Sequence, residues 1–123
     1  MQVSSARSAT LFVAGMMGLA GVVSAAAAAH AGGDPRLLGG ASAMCLAHAP
    51  ALVALYAAWP YFRTAALAAL LLAVGTALFA GDLTARHILG SGLFSMSAPT
   101  GGFVMMAGWI VVALGAFLAT RNA

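Results

Sequence analysis

The sequence predicts an all-α membrane protein, a bundle of four transmembrane helices packed through Gly/Ala faces, forming one integral membrane domain over residues 1–123. Composition is the first reason. The chain is 63% apolar and 6% charged, with a mean hydropathy of +1.04, whereas a soluble domain keeps roughly a quarter of its residues charged. There is too little polar surface here to face water all round, so the natural solvent is lipid. The second reason is that the apolar residues fall into four runs, each near the ~20 residues that a spanning helix needs. The third is that within every run Gly and Ala gather on one helical face and bulky residues on another.

The first run is 9–29, preceded by Arg7 and Ser8. At about 100° per residue, Ala14, Gly18, Gly21, Ala25 and Ala28 oppose Phe12, Met16, Leu19 and Val23. Arg7 and the sequence Ala29-His30-Ala31 also fit a cleaved signal peptide, but the run is longer than the usual core of about 7–15 residues. That length favours a retained helix. Gly32-Gly33-Asp34-Pro35-Arg36 then makes a turn into the second run, 37–59, where Gly40, Ala43, Ala47, Ala51, Ala54 and Ala58 form a small stripe.

Pro60-Tyr61-Phe62-Arg63 is a short link that forces the third run, 64–81, to lie antiparallel to the second. Its small stripe is Ala66, Ala69, Ala73, Ala77 and Ala80. Asp82 and Arg86 are four apart and would pair on one helix face, extending this helix to about residue 89. Gly90, Gly92 and Pro99 predict irregular structure before the fourth run, 101–119. There Gly101, Met105, Gly108, Val112, Gly115 and Ala119 oppose Phe103, Met106, Ile110, Leu114 and Phe117. Small faces let helix backbones approach closely, which is how helices associate where no hydrophobic drive separates them from solvent. Gly18, Gly21, Gly101, Gly108 and Gly115 are the expected packing positions. A bundle packed this way leaves little interior volume for a pore or a large substrate cavity.

Charge excludes several functions. The basic residues are five isolated arginines, Arg7, Arg36, Arg63, Arg86 and Arg121, against Asp34 and Asp82. They form no patch suited to nucleic acid, and two carboxylates leave little for general acid–base catalysis. No Ser-His-Asp grouping, phosphate-cradling loop or HExxH motif occurs, so the expectation is not an enzyme. The single Cys45 excludes an internal disulfide. The absence of Lys beside abundant Ala, Gly and Arg points to a GC-rich, bacterial coding sequence.

Polar residues inside a span are costly and therefore candidates for function. His48 lies deep in the second run, one turn from Cys45 and two residues before Pro50, which frees the Leu46 carbonyl and should kink the helix. It is either a proton relay or ligand, or a neutral imidazole bonded to a neighbouring helix. Cys45 and His48 offer two ligands where a tetrahedral metal site needs four. His30 and His87 lie near helix ends on one side of the membrane, away from His48. Asp82 and Arg86 read as an interfacial ion pair. The methionines show no Met-x-x-Met series suited to copper, and neither a metal nor another cofactor is expected.

These blocks resemble the YgdD-like family of small multi-pass inner-membrane proteins, a domain of unknown function with eukaryotic transmembrane relatives. The resemblance is carried by Ala29-His30, by His48 opening an apolar stretch, and by Gly75-Thr76, Leu78-Phe79, Gly81 and Leu83. Pro99, Gly101, Gly102, Gly108 and Trp109 complete it. The chain differs from the family pattern at Met44-Cys45, at Ala80-Gly81-Asp82-Leu83-Thr84 and at Ala98. The resemblance implies a multi-pass inner-membrane protein and carries no activity with it.

The leading expectation is a noncatalytic membrane protein acting through helix–helix contacts, with the lipid bilayer and a second copy or a membrane protein as partners, and no nucleic acid. The alternative is a small transporter or proton- or ion-conducting protein, and a weaker one a haem- or metal-binding subunit. Small multidrug exporters depend on a carboxylate in the first helix, and Ala9 to Ala29 has none. With four spans, Arg7, Arg63 and Arg121 share one side and Arg36 and Arg86 the other, so the excess of Arg predicts both termini in the cytoplasm. A C-terminal reporter is expected to be active in the cytoplasm; activity confined to the periplasm overturns this orientation.

Overall fold

The computed structural model describes residues 3–118. Four helices follow one another: α1 (Ser5–His30), α2 (Pro35–Ala58), α3 (Ala65–Leu89) and α4 (Ser97–Leu114). Single 3₁₀ turns follow α2 at Trp59–Tyr61 and α4 at Gly115–Phe117. All four are long and apolar enough to cross a membrane. Ala119 and Arg121, which close the predicted fourth span and its flank, lie outside the described residues.

Local chemistry sets the ends. The Ser4 hydroxyl accepts from the Arg7 amide at the start of α1. Asp34 caps α2 through the Arg36 amide, with Pro35 at the first helical position, where a missing N–H costs nothing. That amide and then the Arg36 side chain hold the Asp34 carboxyl below its ordinary range. Pro50 sits inside α2, which continues to Ala58. The extension of α3 to residue 89 is realised, and Gly90 ends it in the left-handed conformation at φ 78°. The predicted start of α4 is corrected. The helix begins at Ser97, behind a left-handed Met96, so Pro99 and Gly101 belong to it. Pro99 is tolerated because first-turn amides lack an intrahelical acceptor.

The helices pack in chain order, α1 on α2, α2 on α3 and α3 on α4, while α1 touches α3 lightly. The bundle is therefore an open one. In the most apolar 18-residue window of each helix, 39% of α2 and α3 is buried but 17% of α1 and α4. The inner pair supplies most of the core, where Ala41, Cys45, Ala49, Leu52 and Leu55 of α2 cluster with Ala65, Ala68, Ala69, Leu72 and Ala80 of α3 and with Ala14 and Met17 of α1.

The α3–α4 seam is the tightest. A methyl group at Gly75 would lie 2.6 Å from the Met105 amide nitrogen, and one at Gly101 2.6 Å from that of Phe79. At Gly108 it would meet the Leu72 side chain at 2.7 Å, and at Gly115 the Phe62 ring and the Thr64 hydroxyl. Between α1 and α2, a methyl at Gly21 would meet Leu46 at 2.7 Å, whereas at Gly18 it would rest on Ala49 at an ordinary 3.7 Å. The bulky face of α4, with Phe103, Met106, Ile110, Leu114 and Phe117, is exposed as expected.

One expectation about faces fails and two hold only in part. Gly18 is not a tight contact. In α2 the small stripe is not the buried face: Ala43, Ala47 and Ala54 are exposed, and Leu38, Ala41, Ser42, Cys45, His48, Ala49, Leu52 and Leu55 are buried. In α3, Ala66 and Ala77 are exposed. The apolar bulk of α2, Leu38, Leu52 and Leu55, goes inward, whereas α3 keeps Leu67, Leu70 and Val74 outward and buries Ala69 and Ala80 of its stripe, leaving Ala77 exposed beside a gap. The Ala73–Ala77–Ala80 stripe lines a cleft of about 600 Å³ between α1 and α3. The expectation of little free volume thus holds at the α3–α4 seam and fails between α1 and α3.

Side chains added at the seam test this. Gly75→Ala, Gly101→Ala and Gly108→Leu are each expected to cost about 1–3 kcal/mol by overpacking and to lower the thermal midpoint in detergent. Gly18→Ala and Gly102→Ala, where there is room, are expected to leave it near wild type. Equal midpoints for the two sets refute the seam.

Candidate functional site

Two polar centres lie within the bundle. The first joins His48 of α2 to Trp109 of α4. His48 is 5% exposed. Its Nδ1 lies 2.8 Å from the Met44 carbonyl oxygen, and its Nε2 lies 3.1 Å from the Trp109 indole nitrogen. A carbonyl only accepts and an indole N–H only donates. Nδ1 therefore donates to Met44 and Nε2 accepts from Trp109, which fixes a neutral imidazole in one tautomer. The rings stand 5.7 Å apart, tilted by 55°. Protonating Nε2 would set two donors against each other. With both nitrogens engaged, the ring offers no lone pair to a metal or haem in this arrangement.

The second centre surrounds Asp82, which is fully buried. Oδ2 accepts from Arg86 Nε at 2.7 Å, and Oδ1 accepts from the Leu93 amide at 3.0 Å and from the Ser97 hydroxyl. The predicted ion pair is present, and it does more than join two side chains of one helix. The carboxylate ties the α3–α4 link and the first residue of α4 back onto α3. Gly92 follows from this, because a methyl group there would collide with Asp82 Oδ1. Arg86 is about half exposed, so one end of the pair reaches the surface.

The other anticipated residues do not join these centres. His30 ends α1 and is exposed, and Pro99 and Gly102 lie in the first two turns of α4, Pro99 exposed and Gly102 half-buried. Among the described residues no three His, Cys, Asp or Glu side chains come together as metal ligands. Cys45 is buried and free. Trp109, expected only as a motif residue, is the hydrogen-bond partner of His48.

Sequence reasoning missed a set of cross-helix bonds to backbone carbonyls. Ser42 Oγ donates to the Gly21 carbonyl at 2.7 Å, joining α1 and α2 where Gly21 permits the approach. Thr64 Oγ1 donates to Val111 O at 3.0 Å, joining the start of α3 to α4. Arg7 Nε donates to Tyr56 O at 2.9 Å, with its guanidinium 4.7 Å above the Tyr56 ring. Ser42 and Thr64 gave no sequence signal, because a lone hydroxyl in an apolar run usually bonds its own helix, as Thr76 does with Leu72 O.

Removing the Asp82 carboxylate leaves the Leu93 amide and the Ser97 hydroxyl without their acceptor, at a cost of about 1–3 kcal/mol, while the half-exposed Arg86 can turn to the surface. Asp82→Ala is expected to cost that order of stability in detergent and to expose the link at residues 90–96 to protease. Asp82→Asn, which keeps an acceptor for Leu93 and Ser97, is expected to lose less. Wild-type midpoints and protease resistance for both variants would show that the carboxylate does not hold the link.

No curated protein and no solved structure gives a significant match to the chain. A family described as "Protein of unknown function (DUF423)" matches residues 24–102. The match runs from the end of α1 through α2, α3 and the link into the first two turns of α4, and so takes in His48, Asp82, Arg86, Gly92 and Ser97. It agrees with the YgdD-like resemblance carried by the sequence motifs, and on this match the chain belongs to the DUF423 family.

Proposed function

We propose that this chain is a noncatalytic integral membrane protein of a bacterial inner membrane, with both termini cytoplasmic, that works through helix–helix contacts with a second copy or with another membrane protein. The observation that carries the reading is the satisfaction of its interior: among the described residues no buried side-chain nitrogen or oxygen lacks a hydrogen-bond partner. A polar group already bonded within the protein serves a substrate only by exchanging those bonds. Here His48 is spent on Met44 and Trp109, and Asp82 on Arg86, Leu93 and Ser97. Proton conduction through His48 would require breaking the Trp109 bond at the depth where a charged group is most costly.

The contact face is supported by α2. Ala43, Ala47 and Ala54 stand exposed at helical spacing on a spanning helix whose own packing does not use them. Such a surface admits another helix closely, through backbone and small side chains. Crosslinking in native membranes is expected to capture a self- or partner complex that Ala43→Leu and Ala47→Leu each reduce severalfold, with the thermal midpoint of the purified protein unchanged. Crosslinking that yields only monomer, or complexes indifferent to both substitutions, overturns the reading. Proton flux in proteoliposomes that His48→Ala abolishes would replace it with conduction.

A further inference from the structure

Pro50 divides α2 into two halves that are held differently. The first half is tied by side chains on two sides: Ser42 bonds the Gly21 carbonyl of α1, and His48 accepts from Trp109 of α4. Beyond Pro50 that pattern stops. Among the described residues no side chain between residues 51 and 58 hydrogen-bonds another helix. Proline has no N–H and its ring crowds the carbonyl four residues back, so the Leu46 carbonyl lacks its ladder partner at the junction. A proline inside a helix is where bending concentrates.

The second half has room to bend. On the α1 side, Leu52 and Trp59 border a hollow of about 220 Å³ shared with Thr10 and Val13 of α1. On the α4 side, Ala51, Ala54 and Ala58 border one of about 240 Å³ shared with Trp109 and Val112. Interiors are close-packed as a rule, and a short arm flanked by a hollow on each side shifts toward either without displacing other side chains. Leu52 and Leu55 keep its inner side on the core, which leaves a sideways rock. At 1.5 Å per residue the arm is about 12 Å long.

Its far end is gripped by a side chain from α1. Pro60, four residues after Tyr56, brings no N–H to the Tyr56 carbonyl, and α2 gives way there to the 3₁₀ turn Trp59–Tyr61. The carbonyl accepts instead from the Trp59 amide and from Arg7 Nε, the latter at 2.9 Å. The Arg7 guanidinium also stands 4.7 Å from the centre of the Tyr56 ring, so one residue engages both the backbone and the side chain at the end of the arm. A cation at this end suits the negative pole of the helix dipole.

We infer that residues 51–58 of α2 form a hinged arm, pivoting at Pro50 beside the His48–Trp109 clasp and latched at its far end by Arg7. Released, the arm rocks toward α4 or toward α1, closing one hollow and widening the other. The hinge does not depend on which partner α2 meets.

Hydrogen–deuterium exchange of the full chain in detergent, resolved by peptide mass spectrometry, tests the arm. Amides 51–59 are expected to exchange at least about tenfold faster than amides 38–48. Arg7→Ala is expected to speed the first set about fivefold, the worth of one hydrogen bond, and to leave 38–48 unchanged. Tyr56→Leu, which keeps the N-terminal charge in place should Arg7→Ala disturb insertion, is expected to act in the same direction. Pro50→Ala, which restores the bond to Leu46, is expected to slow 51–59 by about the same factor. Equal exchange of the two halves in the wild type would make α2 one rigid rod and overturn the hinge. Variants that change both halves alike would assign these residues to overall stability, which also overturns it.

Discussion

The Asp82 carboxylate is the constraint on which the second half of the molecule depends. Backbone that is not helical cannot lie at membrane depth unless its polar groups are satisfied within the protein. The link after Gly90 folds back beside the last turns of α3, and its Leu93 amide reaches the carboxylate. Ser97, the first residue of α4, bonds the same oxygen, so α4 starts at the depth of Asp82 rather than at the tip of α3. Arg86 supplies the charge that makes a buried carboxylate tolerable.

That starting point sets a register. With Ser97 beside Asp82, Gly101 falls against Leu78 and Phe79, Met105 against Gly75, Gly108 against Leu72 and Gly115 against Thr64. For each step down α4 there is an equal step back along α3. A slip of one residue would drive Gly101 and Gly75 out of the backbone contacts that only glycine permits. His48 and Trp109 then bind α4 to α2 across α3, fixing its rotation as Asp82 fixes its height.

The four spans were legible in the sequence because lipid demands long apolar runs, and the faces of α4 were legible because that helix packs on one main neighbour. Gly101, Met105, Gly108 and Gly115 therefore fall where arithmetic at 100° per residue puts them. The same arithmetic misplaced the buried face of α2 and placed that of α3 only in part. Both are flanked on two sides, so a stripe of alanines there marks a gap as readily as a seam. The Asp82–Arg86 pair could be read from its spacing, but Leu93 and Ser97, eleven and fifteen residues beyond Asp82 and separated from it by glycines, could not. His48 and Trp109 were each singled out, while their meeting depends on the α3–α4 register and has no local signature.

The order in which the helices touch has a consequence for biogenesis. Nearly all helix packing joins neighbours in the chain, so no helix has to wait for a distant one before finding its partner. Hairpin α1–α2 carries its own bonds, Ser42 to Gly21 and Arg7 to Tyr56, which need no residue of α3 or α4. Hairpin α3–α4 brings its own glycine seam and its own carboxylate latch. Such local connectivity favours rapid assembly, with the two hairpins meeting along α2 and α3.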